Sequence, residues 1–244
     1  VVEITAAGII PAALEMMDQL TIEAVEKGKP VGYPCDAAAV LLVELEGVRE
    51  QTERAATLVQ AVCTRNGARK VRVAQSDAER QLLWKGRKEA FGALGALAPN
   101  YYVQDGVVPR SRLPEIMKEV AEISRRYRLK IANVFHAGDG NLHPNILFDM
   151  RVPGELDRVI EAGAAIIKAC VAAGGSITGE HGIGLEKKAY IGLMFTAEDL
   201  EAMARVRRAF DPASRFNPAK MFPTPITCAE MRREPAKIPA GLWI

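Results

Sequence analysis

His136, His143 and His181 are all the histidines of this 244-residue chain, and each lies in a short glycine-rich segment beside an acid or a carboxamide. The segments are His136-Ala-Gly-Asp139-Gly-Asn141-Leu-His143 and Gly179-Glu180-His181-Gly182. Imidazoles and carboxylates gathered on loops can be aimed into a cleft, which suits a divalent metal site or an acid/base site. If Gly138 to Asn141 form the turn of a hairpin, His136 faces His143 with Cβ atoms ~5 Å apart, and the two imidazoles can share one ion. Glu180 would add an oxygen ligand and leave a coordination position open, a catalytic rather than a structural pattern. His181, adjacent to Glu180, is expected to diverge from it and to be free for proton transfer near neutral pH. Asp139 is either a turn former or a further site acid. Arg87, one turn after Trp84, is either solvated or a carboxylate binder. The Gly179, Gly182, Gly184 cluster lacks the spacing and strand-to-helix context of a dinucleotide fingerprint and reads as tight backbone packing against a ligand.

The elements that must position these residues form two halves. Pro11 opens an amphipathic helix to about Lys27, and Ala39 to Leu45 is a continuous apolar strand. A helix from Val48 to Arg65 stops at Asn66-Gly67, and Lys70 to Ala74 is a strand. Ser76 with Glu79 caps a helix that carries Trp84, Arg87 and Phe91. Tyr101 to Val108 is a strand, Pro114 opens a helix to about Tyr127, and Ile131 to Phe148 is the hairpin. Strand and helix, twice over, before a closing hairpin predict an α+β fold over residues 1–150: a ferredoxin-like antiparallel sheet with helices on one face. Residues 151–222 form a helical segment, with helices from Glu155 to Ala173 and from Thr196 to before Asp211. Residues 223–244, with four prolines, are an extended tail.

Composition narrows the class. Lys plus Arg number 32 against 30 Asp plus Glu, without a basic run, so neither nucleic acid nor a membrane surface is indicated as partner. No stretch approaches the ~20 apolar residues of a membrane span, and no signal peptide is visible. The four cysteines form no CxxC pair and read as reduced thiols of a cytoplasmic protein. The chain opens at Val1 with an apolar turn under way, as a fragment lacking an N-terminal neighbour would.

Three motifs then carry a resemblance: His136 to Asn145, the run Gly-Gly-Ser-Ile-Thr-Gly-Glu180-His181-Gly-Ile-Gly, and Phe216-Asn217-Pro-Ala-Lys220. Together with Ile10 to Glu15 and Leu41 to Gly47, they resemble the C-terminal half of FAD-linked 2-hydroxyacid oxidases, the family of glycolate oxidase FAD subunits, D-lactate dehydrogenases and D-2-hydroxyglutarate dehydrogenases. The resemblance implies a cap domain that supplies the substrate site to an N-terminal FAD-binding domain, which this chain is expected to lack. It implies FAD held mostly by that domain, and a divalent metal, zinc or manganese, held by His136, His143 and Glu180. His181 would be the base, Arg87 and Asn145 would bind the substrate carboxylate, and Asn217 would lie near the flavin. Val103-Gln104 stands where the hydroxyglutarate enzymes carry a lysine, which favours a small monocarboxylic hydroxy acid. The implied partners are that acid, the FAD domain and electron-acceptor subunits, through which a cytoplasmic chain could reach a membrane. By themselves the residues also allow a metal-dependent hydrolase or a non-catalytic assembly module.

Overall fold

The structure, a computed structural model, describes residues 1–223. The extended tail expected over 223–244 lies, Pro223 apart, outside the described residues. In chain order the elements are α1 (Val2–Ala6), β1 (Ala13–Asp18), α2 (Gln19–Gly28), β2 (Ala39–Glu44), α3 (Arg49–Arg65), α4 (Asp77–Leu94), β3 (Asn100–Val103), β4 (Gly106–Val107), α5 (Leu113–Tyr127), β5 (Lys130–His136), β6 (Asn141–Leu142), β7 (Pro144–Phe148), α6 (Glu155–Ala172) and α7 (Ala197–Phe210). Among the described residues every strand pairing is antiparallel. The sheet runs β2, β1, β5, then continues through β7 to β3 and through β6 to β4. The fold is α+β.

The helices cover both faces of the sheet, where the sequence predicts them on one. Alternation along β5 sends Ile131 and Phe135 toward Ile116, Val120 and Ile123 of α5 and Val159, Ala162 and Ile166 of α6. It sends Ala132 and Val134 to the opposite face, against Ile22, Ala24 and Val25 of α2 and Ala90 and Leu94 of α4. The reason is written in β5 itself, which buries five residues in succession, Ile131 to Phe135. A strand with no solvated face needs a covering layer on each side.

Three strand boundaries also differ from expectation. Pro11 to Lys27 is not one helix but β1 followed by α2. Ala, Leu, Glu and Met favour helix, yet β1 is paired on both edges, by β2 and β5, and that outweighs propensity differences below ~1 kcal/mol per residue. The break falls at Asp18, whose carboxylate caps α2 by accepting from Thr21 N–H at 3.0 Å. Lys70 to Ala74 joins no ladder, and Val71 and Val73 stay exposed. The strand expected from Tyr101 to Val108 is split into β3 and β4 because Asp105 turns its carboxylate toward a distant loop. Helices α3 to α7 lie where the capping and stop signals place them. Among the described residues no helix is long and apolar enough to cross a membrane.

Cys35, Cys63 and Cys170 are free thiols, but they differ in environment. Cys170 is fully buried on α6, and burial pushes its thiol up to about 12 against the opposing charge of Lys187. The thiolate is the nucleophile. At pH 8 an alkylating reagent is therefore expected to label exposed Cys35 and to spare Cys170 until denaturant is added, as peptide mass spectrometry would read. Equal labelling of both in the native chain would show that α6 opens.

Candidate functional site

The site begins with hairpin register. His136 pairs with Asn141 rather than with His143, and Asn133 with Pro144, so the turn is Ala137 to Gly140, one residue earlier than the sequence suggested. Gly140 takes φ +71°, and a Cβ there would sit 2.1 Å from the Val108 carbonyl oxygen, which explains a turn pinned at glycine. The pairing differs from the expected one by two residues, an even number, so the side chains keep their faces. His143 becomes the diagonal neighbour of His136 on the α2/α4 face, with ring centroids 5.2 Å apart. Asn141 and Asn145 share that face by the same alternation.

The second glycine loop, 178–182, is folded around Asp105. This carboxylate, fully buried, accepts from Thr178 Oγ1 at 2.6 Å, Gly179 N–H at 3.1 Å, Glu180 N–H at 3.2 Å and His181 N–H at 2.9 Å. Lys187 Nζ, also buried, donates to it at 3.0 Å. Burial alone would raise the Asp105 carboxyl, but the hydrogen bonds from Thr178 and His181 and the Lys187 ammonium outweigh it and hold it well below the usual carboxylate range. Three successive N–H groups converging on one anion make a concave nest. The curvature turns neighbouring side chains the same way. Glu180 and His181 consequently converge, His181 Nε2 lying 3.7 Å from Glu180 Oε1, where adjacency in sequence suggested divergence.

Glu180 Oε1 thus sits between three imidazoles: 3.1 Å from His143 Nε2, 3.8 Å from His136 Nε2 and 3.7 Å from His181 Nε2. Ligand atoms of His136, His143 and Glu180 all lie within 4.8 Å of one another, a spacing that admits a metal ion among them. His143 is buried, and burial lowers it below the ordinary imidazole range, with the Glu180 charge opposing; the neutral ring is the ligating form. His181 stacks on His143 with centroids 5.3 Å apart and remains exposed, as does Glu180, so the cluster opens to solvent on the loop side.

The remaining sequence candidates are placed as follows. Arg87 is not solvated; it is buried, its Nε donates to Glu15 Oε2 at 2.9 Å, and its Nη2 lies 2.7 Å from the same oxygen as an ion pair. Asn145 is fully buried; its Nδ2 donates to the backbone of His143 and Ala132, and its Oδ1 has no partner among the described residues. Asp139 lines the turn without joining the cluster. Asn217 stands in the left-handed region at φ +44° on an exposed segment tied to the second loop by Met221 N–H to Gly184 O, 3.0 Å. No contact among the described residues joins it to the histidines. Sequence reasoning missed Glu15, Asp105 and Lys187. The available signal was a charge inside an apolar run, in Leu14-Glu15-Met16-Met17 and in Val103-Gln104-Asp105-Gly106-Val107, since such residues are seldom buried unless paired.

Fold and cluster together define an α+β domain that presents two histidines, a carboxylate and a free imidazole at one open site. The chain belongs to the family of FAD linked oxidases, C-terminal domain, whose model matches residues 1–221. It is 48% identical over 228 residues to the glycolate oxidase subunit GlcD of Escherichia coli K12, covering 93% of this chain and 46% of that protein. It is 40% identical over 220 residues to GlcD of Bacillus subtilis, covering 90% of this chain and 47% of that one. A probable mitochondrial D-lactate dehydrogenase of Danio rerio is 32% identical over 225 residues, covering 91% and 44%. The chain thus spans about half the length of these relatives. Among solved structures, p-cresol methylhydroxylase with substrate bound shares the fold at TM-score 0.61 and 12% identity, over 86% of this chain and 46% of that one.

Proposed function

We propose that this chain is the substrate-side half of an FAD-linked 2-hydroxyacid oxidoreductase of glycolate or D-lactate type. The observation that carries the reading is the convergence of His136, His143 and Glu180 with His181 at their edge. The donor set, two imidazoles and one carboxylate, fits zinc or manganese with a position left for substrate. A metal there would lower the pKa of a bound hydroxyl, and a flavin would accept the hydride. The chain's own residues do the rest. His181 takes the hydroxyl proton, standing at the open edge of the cluster with its ring stacked on His143. Arg87, with Nε and Nη2 turned to Glu15, has Nη1 left to meet a carboxylate, and Asn145, buried on the same face of the sheet, would serve that carboxylate only by turning its Nδ2 from the backbone, since its Oδ1 can only accept. The Gly179 to Gly184 loop leads into a 3-10 turn at Lys188–Leu193, not into the helix that a pyrophosphate-binding glycine loop requires. By the resemblance, FAD is assigned to a separate FAD-binding unit, with Asn217 on the segment that approaches it, and electrons to partner subunits.

Elemental analysis of the purified chain tests the metal. About one zinc or manganese per chain, lost in His136→Ala and in Glu180→Gln, is expected. Protein purified without chelator that carries none would remove this reading of the cluster.

The substrate class follows from β3. By the resemblance, Val103-Gln104 stands where the hydroxyglutarate enzymes carry a lysine, and Val103, paired with Asn145 across the ladder, has no charge to offer a distal carboxylate. With the FAD unit present, kcat/KM for glycolate or lactate should exceed that for 2-hydroxyglutarate by at least about 100-fold, the scale of a missing charged hydrogen-bond partner. Preference for the dicarboxylate would overturn the assignment.

A further inference from the structure

Glu15 is a buried acid in the middle of a strand, and the ladder sets it directly opposite His136. Its two oxygens face two different partners. Oε1 lies 2.8 Å from His136 Nδ1, and Oε2 accepts from Arg87 Nε at 2.9 Å and is ion-paired with Arg87 Nη2 at 2.7 Å. A carboxylate paired with a guanidinium can only accept, so the ring nitrogen facing it is the donor. His136 is thereby held as the Nδ1–H tautomer, with the Nε2 lone pair turned toward Glu180 and His143. A buried ion pair is weak evidence for a stabilising role, since an apolar pair of like volume often serves as well. Orientation of a ligand is a role that an apolar pair could not fill.

We propose that Glu15, held by Arg87, is a positioning residue that fixes the tautomer and ring orientation of His136 as a metal ligand. This rests on the reading of His136, His143 and Glu180 as a metal site. Outer partners of this kind change metal affinity about 10–100-fold when altered. The design has a sharp consequence for Glu15→Gln, which keeps the shape. Arg87 still demands an acceptor, so the new amide must give Arg87 its oxygen and turn its NH2 toward His136. Nδ1 then accepts, and the proton moves to Nε2, the atom that should bind metal. Removing the guanidinium as well, in the double variant Glu15→Gln/Arg87→Met, frees the amide to rotate its oxygen back to His136.

The test pairs two measurements on the whole chain. Long-range 1H–15N correlation of histidine-labelled, metal-free protein reads the tautomer, and titration with zinc against a chromophoric chelator reads affinity. The wild type should show Nδ1–H at His136 and bind one zinc. Glu15→Gln should show Nε2–H and bind 10–100-fold more weakly, and the double variant should regain Nδ1–H and at least part of the affinity. A merely structural role predicts the opposite order, with the double variant no better than the single one. If zinc binds and Glu15→Gln changes neither tautomer nor affinity, the inference alone is overturned. If the wild type takes no zinc, the metal reading falls first and carries the inference with it.

Discussion

Replacing Asp105 by asparagine is expected to lower the melting temperature by roughly 10 °C and to abolish metal binding at Glu180 without touching a ligand. The stability cost follows from Lys187, which is buried and has Asp105 as its ion-pair partner. Removing one member of a buried pair leaves an uncompensated charge and costs about 3–5 kcal/mol, and each kcal/mol corresponds to about 2–4 °C in a chain of this length. The binding cost follows from geometry. The N–H groups of residues 179, 180 and 181 all point at this carboxylate, and their convergence bends the loop so that Glu180 and His181 reach the same place. An amide oxygen can accept some of these bonds but cannot hold the ammonium as well. Asp105→Asn/Lys187→Met separates the two effects. It should regain part of the lost stability, because no charge is stranded, and still bind metal poorly, because the nest has lost its anion. Calorimetry beside metal analysis would read both. If the single variant melts with the wild type, the Asp105–Lys187 pair does not anchor the loop.

The contrast between Asp105 and the histidines shows which parts of this site can be read from sequence. The histidines announce themselves because they are rare in this chain and flanked by glycine and acid. Even a hairpin register misplaced by two residues leaves His136 and His143 on one face, since strand alternation has period two and the misplacement was even. Helices α3 to α7 are equally visible because capping residues and stop signals are local: Ser76 beneath Glu79, Thr196 beneath Asp199, Gly67 and Gly174 in the left-handed region. Asp105 and Glu15 are different. Each gains its meaning from a partner more than 70 positions away, Lys187, His181 or Arg87 in space but not in sequence. The strand β1 is lost for the same reason. Its residues favour helix, and only the pairing with β2 and β5 makes it a strand. That His136 sits opposite Glu15 is a property of that ladder, so misreading β1 as helix hid the acid that orients the ligand.

Gly175 is where the two halves of the site are locked together, and Gly175→Ala is expected to be nearly as damaging as the loss of Asp105. It is not a matter of backbone freedom, since Gly175 carries no left-handed φ. A Cβ at this position would stand 1.8 Å from the carbonyl oxygen of Val107 and 2.8 Å from that of Cys170. Both obstacles are backbone, one in β4 and one in α6, so no rotamer change relieves the clash and one element must move. What moves is informative. Ser176, the next residue, forms a bridge with Val107 in both directions, its N–H donating to Val107 O at 2.9 Å and its carbonyl accepting from Val107 N–H at 3.0 Å. This bridge ties the chain leaving α6 to β4 two residues after Asp105 and two before Thr178, and so sets where the carboxylate meets the loop. Overpacking against backbone of this kind costs about 3 kcal/mol, or roughly 6–12 °C in melting temperature. Because the bridge positions the nest, metal affinity should fall with stability, whereas Gly174→Ala, at φ +82° with open space around its Cβ, should cost only the local strain of a left-handed residue, about 1 kcal/mol, and leave affinity intact. Equal losses of affinity in the two variants would mean that the helix end, and not the contact with Val107, governs the loop.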